Sequence, residues 1–176
     1  MSGHNKWSKI KNKKAVTDTQ KSKIFGKLVR LIAVESKKSK GDVNAPGLRA
    51  AIERAKEANV PGDNIERAIK KGVGGEGEEM EQIIYEAYGP GGCALIIEAL
   101  TENKNKAAQE IKHVLSKNGF ELAAPGSATW AFEKNNNEWA PKSTLPISEG
   151  DATRLEIIIN ELEENDEVQE VFTNAE

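Results

Sequence analysis

Apolar residues in the first third of the chain recur at every third or fourth position, which is the spacing of amphipathic helices. In the first series the apolar side chains that share one helix side are Ile24, Phe25, Leu28, Leu31 and Ile32. A second series spans residues 48–55 and a third spans residues 65–69. The pattern predicts three helices that bury a small apolar core between them.

Polar residues and glycines indicate where these helices begin and end. Side chains that accept hydrogen bonds from free amides favour helix starts, and glycine favours helix ends. The predicted starts are a Thr17–Gln20 capping box, Asn44 ahead of Pro46, and a pair formed by Asp63 and Glu66. The predicted end of the third helix is Gly72.

Beyond residue 81 apolar residues alternate with polar ones or run together, which is typical of strands. The predicted strands are residues 82–89, 93–101, 127–133, 143–147 and 167–173. Helices are predicted over residues 104–118 and after Ser148, which forms a cap with Asp151. Without the first strand, the order is β-α-β-β-α-β, the order of a ferredoxin-like domain.

Two of these strands have distinctive patterns. Residues 93–101 ("CALIIEALT") are largely apolar, which predicts a strand buried on both faces. In "SATWAFE" strict alternation places Ala128, Trp130 and Phe132 on one face. The predicted fold class is α+β: an N-terminal three-helix domain followed by a ferredoxin-like βαββαβ domain with an extra N-terminal strand.

The charge changes sign where the apolar period changes. Residues 1–71 contain 18 Lys and Arg against 7 Asp and Glu, whereas residues 72–176 contain 7 against 21. The net charge of -3 therefore describes neither half. The predicted domains are a basic helical domain (1–72), a Gly- and Glu-rich linker (73–81) and an acidic ferredoxin-like α/β domain (82–176).

Composition narrows the class of protein. No apolar run approaches the roughly 20 residues of a membrane span, and no apolar segment follows the basic N-terminus as in a secretory signal. The one cysteine, Cys93, cannot form an internal disulfide, which fits a reducing compartment. We expect a cytoplasmic protein that does not contact membranes.

Catalytic motifs are scarce. The histidines are His4 and His113, and neither belongs to a metal or nucleophile motif. "GVGGEG" at residues 72–77 matches G-x-G-x-x-G, but a dinucleotide site needs a strand before it and a helix after it. Here a helix precedes the glycines and carboxylates follow, so a linker is expected. We predict no enzyme, no cofactor and no metal site; a nucleotide-dependent enzyme at "GVGGEG" is the remote alternative.

The strongest functional signal is the basic stretch "GHNKWSKIKNKK" at residues 3–14. Its lysines can follow a phosphate backbone, and Trp7 among them either stacks on a base or packs the arm onto the helices. The lysines of this arm are Lys6, Lys9, Lys11, Lys13 and Lys14. Cations that extend the positive surface along the first helix are Lys21, Lys23, Lys27 and Arg30. A solubilising tail is the alternative interpretation.

A glycine-rich turn is the second candidate contact. It comprises Tyr88, Gly89, Pro90, Gly91 and Gly92. Its backbone amides could meet a phosphate or a partner, although a tight turn between two strands explains the same residues.

Four stretches together strongly resemble the YebC/PmpR family. They are "SGHNKWSKIKNKKAVTDTQKSKIFGKLVRLI", "NIERAIKKG", "YEAYGPGGCALIIEALTENKNK" and "VQEVFTNAE". The resemblance covers residues 2–133 and resumes over residues 141–176. The family includes the mitochondrial translational activator of cytochrome c oxidase subunit I.

This resemblance implies a helical domain followed by α/β domains in a non-enzymatic regulator of gene expression. Some members are described as probable transcriptional regulators that bind DNA, and others as translation factors that act on the ribosome. We expect transcription regulation through DNA binding, with a ribosome-associated, RNA-binding translation factor as the alternative. By motif, the matching positions are Gly3, His4, Lys6, Trp7, the lysines that follow, and the Tyr88–Gly92 turn.

The chain departs from the family pattern at one place. Typical members carry a third domain inserted after the strand that corresponds to "ATWAFE". Here residues 134–141 ("KNNNEWAP") occupy that place. We therefore expect a short form without the inserted domain, in which a hairpin joins two antiparallel neighbours.

Overall fold

The computed structural model describes residues 18–75, 79–135 and 138–176. These residues form two compact units, a helical unit that ends at Met80 and a sheet unit that begins at Glu81. The predicted capping residue Thr17 lies outside the described residues.

The helical unit contains the three predicted helices: α1 (Asp18–Ser39), α2 (Pro46–Glu57) and α3 (Gly62–Val73). Their core consists of the buried residues Leu28, Leu31, Ile32, Leu48, Ala51, Ala55, Val60, Ile65 and Ala68. Ile24, expected to face inward, is 42% exposed. The contacts of α1 with this core begin at Phe25, one residue further along.

Two predicted caps in this unit are wrong. Ala45 is the N-cap of α2, and its backbone is extended because the residue before a proline is driven out of the helical region. Asn44 therefore lies outside the helix, and its backbone N–H bonds Asp42 Oδ1 at 3.0 Å. Helix α3 begins at Gly62, so Asp63 lies within its first turn, and neither Asp63 nor another side chain caps it.

Gly72 does not end α3, contrary to the prediction, because the helix continues to Val73. Instead it permits close helix packing: a Cβ there would lie 2.5 Å from the Ala33 carbonyl oxygen. Beside it the buried Ser36 Oγ donates to the Ile69 carbonyl at 2.7 Å. The C-terminal ends of α1 and α3 therefore lie side by side.

The sheet unit contains two helices and six strands among its described residues. The helices are α4 (Lys104–Lys117) and α5 (Glu149–Glu164). The strands are β1 (Glu81–Tyr88), β2 (Ala94–Thr101), β3 (Leu122–Ala123), β4 (Phe132–Asn135), β5 (Glu138–Pro141) and β6 (Val168–Thr173). As predicted, the Ser148 side chain caps α5 by accepting the Asp151 N–H at 3.1 Å.

The main sheet is antiparallel with strand order β3-β1-β2-β6. Strands β2 and β3 are both antiparallel to β1, so β2-α4-β3 is a split βαβ unit with β1 between its strands. The α+β class is confirmed. The strand that we expected as an addition, β1, instead lies inside the sheet.

Both faces of this sheet are covered where β2 crosses it, as the sequence predicted. Alternate residues such as Leu95 and Ile97 pack on α4 and α5. Their neighbours Ala94 and Ile96 pack on the opposite face, against Ala128 and other residues of the segment that leads into β4. The segment that covers this second face also contains Trp130, a candidate contact residue of the sheet unit.

The predicted strands at residues 127–133 and 143–147 do not join the main sheet. Residues Thr129–Ala131 form a 3₁₀ turn, so Ala128 and Phe132 are buried while Trp130 is 60% exposed. Strand β4 pairs with β5 in a separate hairpin. Leu145 forms an isolated parallel bridge with Ala175. No helix among the described residues has the length and apolar character needed to cross a membrane.

Candidate nucleic-acid interface

Three of the four predicted cations on α1 share one side of the helix. Lys23, Lys27 and Arg30 are four and three residues apart, which aligns them along a stripe. Lys21 precedes Lys23 by two residues, about 200° around the helix, so it lies away from this stripe. The structure thus brings together three of these cations. The predicted arm contacts, from Gly3 to Lys14, lie outside the described residues.

The sequence analysis did not identify a second group of lysines, because its two pairs lie far apart in the chain and no local pattern connects them. The close contact at Gly72 brings Lys37 and Lys38 of α1 to the same end of the unit as Lys70 and Lys71 of α3. Lys37 Nζ lies 3.9 Å from Glu79 Oε1, and Lys38 Nζ lies 3.3 Å from Glu35 Oε1. Cations at helix C-termini also interact favourably with the helix dipole.

The glycine-rich turn closes on itself. The Gly89 N–H bonds the Cys93 carbonyl at 2.8 Å, and the Gly92 N–H bonds the Gly89 carbonyl at 3.0 Å. Gly91 has a positive φ, and a Cβ there would lie 3.2 Å from the Asp151 carboxylate. Because two of its amides are used internally and a carboxylate lies beside it, this turn is poorly suited to a phosphate.

A buried carboxylate organises the segment after β3. Glu86, on β1, accepts hydrogen bonds from the backbone N–H groups of Gly126, Ala128 and Thr129 at 2.5, 2.9 and 2.8 Å. Burial alone would raise the pKa of the Glu86 carboxyl, but these donors outweigh it and hold the pKa below its ordinary value. The bonds occupy amides that a strand ladder would need, which explains the lost strand at 127–133.

Tyr88 connects the glycine-rich turn to Trp130. The Tyr88 hydroxyl donates to the Ser127 carbonyl and accepts the Trp130 Nε1–H at 2.9 Å. Trp130 is thereby fixed although most of its surface is exposed. Alternation in the sequence placed Trp130 on one face with Ala128 and Phe132, and it was not identified as a candidate contact.

Cys93 and His113 lie outside these surfaces, and their environments are typical of structural residues. Cys93 is fully buried, and burial raises the pKa of its thiol. His113 is exposed on α4. Across residues 18–75, 79–135 and 138–176, no group of three or more His, Cys, Asp or Glu could hold a metal ion.

Two family models match most of the chain. The model described as the TACO1/YebC protein N-terminal domain matches residues 5–75. The model described as the TACO1/YebC second and third domain matches residues 80–137.

Two bacterial relatives have the name "probable transcriptional regulatory protein". The Fervidobacterium nodosum protein is 41% identical over 235 residues, covering 99% of this chain and 93% of the relative. The Petrotoga mobilis protein is 47% identical over 179 residues, covering 100% of this chain and 71% of the relative. Because the first alignment is longer than this 176-residue chain, the F. nodosum protein contains residues that have no counterpart here.

A solved structure has the same fold. The crystal structure of a conserved hypothetical protein from Aquifex aeolicus superposes with a TM-score of 0.75 at 33% sequence identity. The match covers 90% of this chain and 91% of that chain. On these matches the chain belongs to the TACO1/YebC family.

Proposed function

We propose that this chain is a non-enzymatic regulator of gene expression that binds nucleic acid through its basic helical domain. The observation that carries the proposal is the Lys23, Lys27 and Arg30 stripe on α1. In the sequence this stripe follows directly on the lysine-rich arm at residues 3–14. Lysine and arginine rows that neutralise successive phosphates give affinity without base specificity.

The distribution of charge supports a polarised interaction. The sheet unit, residues 81–176, contains 18 Asp and Glu against 7 Lys and Arg. A polyanion is repelled by such a surface and attracted by the helical domain. We infer that the domains are 1–72 and 82–176, and that residues 73–81 link these oppositely charged parts.

DNA is the first candidate partner and regulation of transcription the first candidate role, because the bacterial relatives are named probable transcriptional regulatory proteins. The alternative is a translation factor that binds RNA on the ribosome, and the resemblance to the mitochondrial translational activator favours it. Both roles use the same phosphate contacts, and both agree with the cytoplasmic location expected from the sequence.

We further infer that the residues missing from this chain would enter the hairpin between β4 and β5. The two strands pair residue by residue from Phe132 with Pro141 to Asn135 with Glu138. Neighbouring strand ends allow a domain to be inserted or removed while the pairing persists. Contacts made by such a domain in longer relatives are then absent from this chain.

Crosslinking in living cells, followed by sequencing of the attached nucleic acid, distinguishes the two roles. We expect enrichment of DNA from promoter regions. Recovery of ribosomal RNA without promoter DNA would overturn the transcriptional role and support the translational one. A variant with Lys9, Lys11, Lys13 and Lys14 changed to Gln is the control, because it shows which recovered nucleic acids depend on the arm. Binding of labelled nucleotide at "GVGGEG" would restore the enzymatic alternative.

A further inference from the structure

We propose that Trp130 is the anchor of a protein-docking surface on the sheet unit, and that its partner is an arginine-rich segment of another protein. The indole is 60% exposed, far more than the apolar residues around it. Exposed tryptophans that are held in place are common centres of binding surfaces, because they bury a large area at little entropic cost.

The indole is held by bonds that leave its ring available. The Trp130 Nε1–H is bonded to the Tyr88 hydroxyl, whose own proton bonds the Ser127 carbonyl. Ser127 lies within the segment that the Glu86 carboxylate fixes through three backbone amides. Since the polar N–H of Trp130 is already used, what the side chain offers a partner is its π face and its apolar edge.

The charge of the unit selects a cation over a nucleobase for that face. Both can lie against an indole. A base arrives with phosphates, and the unit's 18 acidic against 7 basic residues repel them. A guanidinium is attracted by both the ring and the net negative charge of the unit.

Cations already lie over aromatic rings elsewhere in this unit. Lys134 Nζ lies 5.3 Å from the centre of the Trp139 ring, and the Arg154 guanidinium lies 5.5 Å from that of Phe120. Trp139 is tied to the sheet because its Nε1–H bonds Glu98 at 3.2 Å. Trp130, by contrast, is mostly exposed, and no such cation lies over it among the described residues.

The test uses the full 176-residue chain and a labelled 12-residue peptide of alternating Gly and Arg. We expect the peptide to shift the Trp130 indole N–H signal in NMR spectra. Trp130→Ala should weaken binding about 3- to 30-fold, the range of a cation–π contact. Ile157→Ala is the matched control, because Ile157 is an exposed apolar residue on α5, and it should bind as the unmodified chain does.

Two further probes identify the chemistry. The same peptide with citrulline in place of arginine should leave the Trp130 signal unshifted, since citrulline is uncharged. Equal peptide affinity in Trp130→Ala and the unmodified chain would overturn the proposal. So would a 12-nucleotide oligouridylate that shifts the Trp130 signal when the peptide does not. Nucleic-acid binding by the helical domain is measured separately and should be unchanged in Trp130→Ala.

Discussion

The Glu86 carboxylate accepts a hydrogen bond from the Ala128 backbone N–H at 2.9 Å, although 42 residues separate them in the sequence. Together with the bonds from Gly126 and Thr129, this contact fixes the segment that covers the second face of the sheet. The network needs an ionised carboxylate, because all three partners are donors. Its strength should therefore depend on pH.

Changing Glu86 to Gln should destabilise the sheet unit by about 2 kcal/mol at pH 7, since a charged acceptor is lost and an amide NH₂ faces N–H donors. The folded-state pKa of Glu86 lies below its ordinary value of 4.5, so its contribution is present above that pH and is lost as pH falls through the folded-state pKa. Denaturant unfolding from pH 7 to pH 3 measures this. The difference from the unmodified chain should shrink in acid, whereas a constant difference would refute the role of the charge. Glu121→Gln, at an exposed glutamate, is the control.

Two glycine substitutions in the helical unit should have opposite effects. Gly72→Ala should cost about 1–3 kcal/mol, because the new Cβ would overlap Ala33 and Ser36. Gly26→Ala should stabilise by about 0.5–1 kcal/mol, since no described atom lies within 4 Å and alanine favours the helix. Urea unfolding of both variants is the measurement. A stable Gly72→Ala variant would contradict the close approach of α1 and α3.

Helix capping can be tested at Ser148, where sequence and structure agree, and at Asn44, where they disagree. Ser148→Ala should cost about 1 kcal/mol, because the Ser148 side chain bonds the Asp151 N–H. Asn44→Ala should change stability by less than about 0.5 kcal/mol, since Ala45 is the N-cap of α2. Thermal unfolding of the two variants distinguishes these values. An equal loss of stability in Asn44→Ala would show that Asn44 caps α2, as its sequence position indicated.

Periodic patterns in the sequence predicted the elements whose environment is uniform along their length. The apolar spacing of Leu28, Leu31 and Ile32 predicted the buried side of α1. The apolar run at 93–101 predicted β2 as the strand covered on both faces. In such elements every helical turn or pair of strand residues repeats the same contact, so the local sequence pattern is sufficient to predict them.

Contacts between distant residues caused the differences from these predictions. The alternation of "SATWAFE" indicated a strand, but Glu86 takes the amides that pairing would require. Glycine favours helix ends, but Gly72 instead allows α3 to pack closely against Ala33 of α1. The same alternation placed Trp130 on one face with Ala128 and Phe132, so its exposure could not be anticipated from its neighbours in sequence.

Neutralising the α1 stripe should weaken nucleic-acid binding and lower its salt dependence. With Lys23, Lys27 and Arg30 changed to Gln, the slope of log affinity against log salt on duplex DNA should fall by about 2 to 3, because each phosphate contact contributes about 0.9. A charge-matched control changes Arg49, Arg54 and Lys56 of α2 to Gln. Equal effects of the two triple variants would mean that only net charge matters, and that α1 is not the contact surface.

The central claim is that the basic domain binds phosphates through its arm and α1. The most direct measurement is the affinity of the full chain for duplex DNA and for structured RNA at several salt concentrations, with and without Lys9, Lys11, Lys13 and Lys14 changed to Gln. We expect a steep salt dependence in the unmodified chain and a slope lower by about 3 to 4 in the variant. Unchanged affinity and slope would contradict the claim.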